Sequence, residues 1–221
     1  MKPVVWGIIS TAEIGMKKVI PAMLQAKGVT VAGIASRDEG RAKAAARQLG
    51  IPKSFGSYEA LLADPEIEAI YNPLPNHLHV PVSIQALKAG KHVLCEKPIA
   101  LTAQEALELV EAERASGKLC AEAFMVRWHP QWQLARKLIM EGRIGDIRAI
   151  QVGFSYFNDD PSNVRNMADI GGGGIYDIGC YGIVSGRYLF GSEQERVLAL
   201  VESDRKFGTH RLASAILKFP G

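Results

Sequence analysis

Four short stretches of this sequence place chemically capable residues in telling patterns. Ser10-Thr11-Ala12-Glu13-Ile14-Gly15 follows the apolar run Val4 to Ile9 and puts small residues at the three positions of a G-x-G-x-x-G turn. In such a turn the first small residue permits a tight bend, the second lets a pyrophosphate approach the backbone, and the third lets helix and strand pack closely. Ser10 and Ala12 replace two glycines, so an ordinary strand-to-helix turn is the competing reading. The position at the first strand-to-helix junction, where a helix N-terminus attracts anions, favours a phosphate cradle.

The second stretch is Ser36-Arg37, at the end of the second strand candidate, with Arg41 one helical turn later. That strand end supplies an acidic residue to the ribose when the cofactor is NAD and an arginine when it is NADP. Ser36 with Glu39 could be only a capping box, and the arginines only a solvated helix start. Two cations near a helix N-terminus nevertheless invite a compensating anion such as a 2′-phosphate, which predicts NADP over NAD.

The third stretch is a pair of loops, Asn72-Pro73-Leu74-Pro75-Asn76-His77-Leu78-His79 and Glu96-Lys97-Pro98. Each follows a strand candidate at its C-terminal end, where open α/β sheets hold their ligands. Leu74, Asn76, His79, Glu96 and Lys97 are therefore candidate ligand contacts, and a surface ion pair of Glu96 with Lys97 is the alternative. The fourth is Gly171-Gly172-Gly173-Gly174-Ile175-Tyr176-Asp177-Ile178-Gly179-Cys180-Tyr181. Glycines allow close backbone approach to a ligand, and Asp177 and Tyr181, four apart on a helix, share a face. A plain loop with a buried tyrosine explains this segment equally well by itself.

Positioning these residues requires a definite set of elements. Short, continuously apolar strand candidates at Val4 to Ile9, Val29 to Ala35, Ala69 to Tyr71, His92 to Cys95 and Leu119 to Phe124 alternate with amphipathic segments, the rhythm of a parallel sheet buried on both faces. Thr102 with Glu105 reads as a capping box, and Gly117 closes the helix that it opens. After Pro130 a helix over Gln131 to Glu141 precedes Ile147 to Tyr156, where Ile150, Val152, Phe154 and Tyr156 alternate with smaller or polar residues. That pattern predicts an antiparallel strand with one buried face. Further strands are expected at Val197 to Val201 and at Arg211 to Phe219, the latter with Ala213, Ala215, Leu217 and Phe219 on one face. The expected architecture is an α/β Rossmann domain over residues 1–124, followed by an α+β domain over 125–221 with an open, mainly antiparallel sheet. The second domain has few strands and ends directly after one, so the expectation is that the protein is incomplete at its C-terminus.

Composition narrows the partners. The 221 residues are 48% hydrophobic and 22% charged, ordinary for a globular protein. A net charge of +3 without a basic block gives no support to a nucleic-acid role or to a membrane patch. No apolar run reaches the roughly 18 residues of a membrane span. Cys95, Cys120 and Cys180 are odd in number and lack metal-ligand spacing, which predicts reduced thiols in a cytoplasmic protein with no bound metal.

The nucleotide turn, the Glu96-Lys97-Pro98 loop, and the glycine run with Asp177 and Tyr181, taken in this order and spacing, resemble the Gfo/Idh/MocA family over essentially the whole chain. Ser10-Thr11-Ala12, Arg37, Arg41 and Met125-Val126-Arg127-Trp128-His129-Pro130 are similar to the branch of dimeric dihydrodiol dehydrogenases and NADP-dependent xylose dehydrogenases. The resemblance implies a dehydrogenase or reductase with NADP as cofactor and an aldose or diol as substrate. It also implies a homo-oligomer formed through the C-terminal sheet and on the order of a hundred further residues. Tyr181 stands where many members have histidine. On this resemblance Tyr181 takes the hydroxyl proton, and because free tyrosine has a pKa near ~10, the Lys97 ammonium would favour its ionised form; Lys97 could also hydrogen-bond the substrate oxygen and carry the proton itself, so the two residues are read as one coupled unit. Asp177 would bind a substrate hydroxyl and hold the lysine, and Arg127, Trp128 and His129 would line the cofactor and substrate side of the cleft. His129 beside Pro130 could equally be a helix-entry residue. A non-catalytic redox sensor and an imine or pyrrole-pigment reductase are the competing functional classes.

Overall fold

The computed structural model describes residues 2–220 and divides into two compact units, Met1–Ala123 and Phe124–Gly221. In the first, six parallel strands are β1 (Val4–Ile9), β2 (Val29–Ala35), β3 (Lys53–Phe55), β4 (Ala69–Asn72), β5 (His92–Cys95) and β6 (Cys120–Glu122). Their spatial order is β3-β2-β1-β4-β5-β6, so the chain reverses its direction of sheet growth between β1 and β4. Ligands of open parallel sheets sit outside the carboxyl ends of the strands at such a switch point.

The unbroken apolar runs have a direct cause. Neighbouring residues on a strand point to opposite faces, and here both faces are covered. Ile8, Ile34 and Tyr71 pack on one side of the sheet, while Ile9, Ala35 and Ile70 pack on the other. The strand that sequence patterning misses, β3, is a three-residue edge strand with one large apolar side chain, Phe55. Its ring fills the space a side chain at Gly33 would take: a Cβ there would lie 2.7 Å from Phe55 Cε2.

The helices of this unit are α1 (Ile20–Gln25), α2 (Glu39–Leu49), α3 (Tyr58–Leu62), α4 (His79–Lys88) and α5 (Ala103–Ser116). Thr102 caps α5 by accepting from the Glu105 amide at 3.1 Å, and Gly117 ends the helix with φ 64°. The Glu105 carboxylate reaches back one residue further than a capping box requires, to the amide of Leu101 at 2.8 Å. At α2 the expected pairing of Ser36 with Glu39 does not form. Asp38 is the cap, accepting from the Arg41 amide at 3.0 Å, and the Ser36 hydroxyl accepts from the Asp38 amide at 3.2 Å.

In the second unit, α6 (Pro130–Met140) and α7 (Cys180–Phe190) accompany an antiparallel ribbon of β7 (Arg196–Ser203) and β8 (His210–Lys218). His129 is the helix-entry residue of α6; its Nδ1 accepts from the Gln131 amide at 3.2 Å. The strand expected over Ile147 to Tyr156 is absent from the described residues, because no neighbouring strand bonds to it. Its alternation has another origin. Val152 lies beside Gly182, Phe154 beside Tyr181, and the Tyr156 hydroxyl bonds Asp177, so these three alternate side chains meet the helical stretch 177–182.

No helix among the described residues is long and apolar enough to cross a membrane. Cys95 and Cys120 are free thiols, and the Cys180 thiol donates to the Tyr176 carbonyl at 3.2 Å.

Candidate active site

The phosphate-cradle candidate occupies the turn after β1. Ser10 has φ 73°, the only positive value at a non-glycine among the described residues, so serine here adopts the left-handed backbone that glycine would supply in a tighter consensus. Its hydroxyl accepts from the Ala12 amide at 3.2 Å, which stabilises the bend. A π-helical turn over Gly15–Val19 then leads into α1. Gly15 is buried, and a Cβ there would meet Tyr71, Ile20 and Pro73 at 3.6 to 3.7 Å, ordinary contact distances. Thr11 is half-buried and Ile14 is exposed at the mouth of the turn.

At the end of β2, Ser36 is buried while Arg37 and Arg41 are exposed, and neither guanidinium has an ion-pair partner among the described residues. The loops after β4 and β5 are joined by buried polar contacts. The Tyr71 hydroxyl donates to Glu96 Oε1 at 2.7 Å, and the Lys97 amide donates to Glu96 Oε2 at 3.3 Å. Burial, with the Glu96 charge, drives the Tyr71 phenol far above its usual range, which favours the protonated donor. Glu122 Oε1 accepts from the Ile99 amide at 2.9 Å, which anchors the far end of the Lys97 loop to β6. The Lys97–Pro98 peptide is cis.

His79 is 1% exposed, and its two ring nitrogens lie against main-chain carbonyls, Nδ1 2.7 Å from Pro98 O and Nε2 2.6 Å from Leu74 O. Leu74 is buried, and Asn76 begins a short 3-10 turn through Leu78. Tyr71, which no motif singles out, joins the list of site residues. Its signal was its place on a strand otherwise built of aliphatic side chains and asparagine.

In the second unit, the glycine run makes a close approach, but to the chain itself. A Cβ on Gly172 would lie 2.6 to 2.8 Å from the carbonyl oxygens of Met167, Arg165 and Val164, and Gly173 has φ 116° beside His210. The run therefore packs backbone on backbone and delivers a second π-helical turn, Ile175–Gly179, into α7. Asp177 Oδ2 accepts from the Tyr156 hydroxyl at 2.6 Å and from Arg165 Nε at 2.8 Å. Burial and the Asp177 carboxylate push the Tyr156 phenol up to about 12, which keeps it a donor. The ring of Tyr181 meets Phe124 edge-on at 5.0 Å and Phe154 at 5.8 Å. Asp177 and Tyr181, four apart, thus meet Tyr156 and Phe154, two apart, of the same segment. Arg127 is exposed at the end of a 3-10 turn, and Trp128 is 75% exposed.

The strand order, the turn after β1 and the loops at the carboxyl ends of β4 and β5 define a dinucleotide-binding Rossmann domain. A model of an oxidoreductase family with an NAD-binding Rossmann fold, GFO/IDH/MocA, matches residues 4–124, and a model of the GFO/IDH/MocA C-terminal domain matches residues 132–221. The chain belongs to this family. It is 52% identical over 216 residues to an uncharacterized oxidoreductase of Rhizobium meliloti, covering 98% of this chain and 65% of that protein. It is 40% identical over 215 residues to D-xylose 1-dehydrogenase (NADP(+)) 2 of Haloferax volcanii, covering 97% and 65% respectively. A solved structure of a 3-ketoreductase from Actinomadura kijaniata, in complex with NADP and TDP-benzene, superimposes with a TM-score of 0.91 at 33% identity, covering 98% of this chain and 66% of that one. The chain thus spans just under two thirds of these relatives' lengths.

Proposed function

We propose that this protein is an NADP-dependent oxidoreductase that moves a hydride between the nicotinamide and a hydroxyl-bearing carbon of a sugar or diol. The observation that carries the reading is the Glu96-Lys97-Pro98 loop, anchored from β4, α4 and β6 at the carboxyl edge of the sheet. Residues that fit a dinucleotide surround it in the same unit. Ser10 already holds the left-handed bend, Gly15 leaves the turn uncrowded, and Arg37 after β2 and Arg41 in the first turn of α2 have no ion-pair partner among the described residues. Bound NADP would supply the hydride acceptor or donor. Ser10, Thr11, Ala12, Ile14 and Gly15 would seat its pyrophosphate, with Ser36, Arg37 and Arg41 at the 2′-phosphate. Leu74, Asn76, Glu96, Arg127 and Trp128 would complete its surroundings.

The chain's own residues would handle the proton. Lys97 donates a hydrogen bond to the reacting oxygen, and Tyr181 takes or returns the hydroxyl proton. Asp177, its carboxylate plane fixed by Tyr156 and Arg165, accepts a hydrogen bond from a substrate hydroxyl. The xylose dehydrogenase and ketoreductase relatives support a carbohydrate substrate. Reduced-nicotinamide absorbance with a panel of aldoses, diols, nucleotide-linked keto sugars and imines tests the reading. Turnover of a carbohydrate or diol is expected; activity with imines alone, or dinucleotide binding without any turnover, would sink it.

Cofactor choice has its own test. If Arg37 and Arg41 hold the 2′-phosphate, replacing both by alanine weakens NADP binding by several kcal/mol at most, since each charge-assisted contact contributes about 1.5 to 3 kcal/mol. Affinity for NAD should scarcely move, because only NADP carries that phosphate. Titrations of both cofactors at fixed ionic strength decide the matter. An equal loss for the two would reduce the arginines to a supporting role.

A further inference from the structure

Asn72, His79 and Ser83 form a polar group sealed inside an apolar domain; their exposures are 0%, 1% and 0%. Burying polar side chains is costly unless each is hydrogen-bonded, so such a group points to a geometrical task. Asn72 Nδ2 donates to the His79 carbonyl and to Ser83 Oγ, both at 3.1 Å, and Asn72 Oδ1 accepts from the Leu74 amide at 3.3 Å. These bonds fix the start of α4 against the end of β4, and with it the direction in which the His79 ring points.

The ring spans two loops. Leu74 belongs to the loop after β4, and Pro98 directly follows Lys97 in the loop after β5. The nitrogens lie 2.6 and 2.7 Å from the carbonyl oxygens of these two residues. A carbonyl oxygen only accepts, so the ring donates to both in its doubly protonated form and to one of them in either neutral tautomer. Tyr71 holds the same loop from the other side through Glu96. Between them, these contacts determine where the backbone of Lys97 stands.

We infer that His79 is a positioning residue for Lys97: its imidazole is a strut that ties the Lys97 loop to the loop after β4, and it contributes to turnover without touching the cofactor. The inference rests on Lys97 being the catalytic group proposed above. Its physical basis is that small misplacement of a catalytic group costs far more in rate than in binding.

The test compares His79→Gln and His79→Leu with wild type in the full-length protein. Glutamine retains one side-chain nitrogen donor and serves one carbonyl; leucine serves neither. Turnover is expected to fall about tenfold in the first and about a hundredfold in the second, while the Kd for the reduced cofactor NADPH, read by its nicotinamide fluorescence, stays within about threefold. Hydrogen exchange should accelerate at the amides of residues 96–101 and remain unchanged in β1 and β2. Exchange does not depend on catalysis, so it tests the strut even if no substrate is found. In Lys97→Ala the same amides should stay protected, which separates failure of the strut from failure of the lysine's proposed role. A Kd for NADPH that worsens in step with turnover would make His79 a cofactor ligand and overturn the inference. Unchanged exchange in the 96–101 segment would overturn it as well. Should His79→Leu not fold, the glutamine variant alone decides between these outcomes.

Discussion

Replacing Lys97 by alanine should lower turnover by about 10² to 10⁴, the range for a lost acid–base group, while cofactor affinity stays within about an order of magnitude. The expectation of so selective a loss follows from the loop's anchoring. Glu96 is held by Tyr71, Pro98 by His79 and Ile99 by Glu122, and none of these contacts uses the lysine side chain. The alanine variant should therefore keep the wild-type fold, with a thermal midpoint within a few degrees. Steady-state rates and a binding titration on the same preparation check both halves. Near-normal turnover would remove Lys97 from the chemistry.

Tyr181→Phe is the second large effect, with a loss of about 10² or more in turnover. Phenylalanine keeps the ring contacts with Phe124 and Phe154 and removes the hydroxyl. Combined with Lys97→Ala, the losses should fall well short of multiplying, because a proton path broken at one residue gains little further damage from a break at the other. The four rates of the cycle provide the measurement. Independent, multiplying losses would show that the two residues serve separate steps.

How much of this was legible in the sequence depended on whether the signal was local. The parallel domain could be read because residues such as Ile8 and Ile9, or Ile70 and Tyr71, are buried on opposite faces and so leave continuous apolar runs. The edge strand β3 escaped because Lys53 and Ser54 carry no such mark. Residues 147–156 misled because alternation records only that every second side chain meets apolar or aromatic neighbours. It does not record whether the neighbour is a strand or a helix, and here Val152 and Phe154 face helical residues. His79 was assigned by loop position alone, and only its pair of carbonyl contacts identifies it as a tie between loops. Tyr156 and Arg165 could not be connected with Asp177 beforehand, since nothing local links residues 21 and 12 positions apart.

The two π-helical turns, Gly15–Val19 and Ile175–Gly179, bear on how relatives of this chain should be compared. A π turn is the form taken by a helix that has accommodated one additional residue. A homologue lacking one position in either turn could close it into regular α-helix and keep α1 or α7 in the same spatial register. In an alignment such a homologue would display a single-residue gap inside a helix, a pattern commonly dismissed as misalignment. At these two places the gap would mark a real deletion, and forcing it shut would mispair the residues that follow, Tyr181 among them.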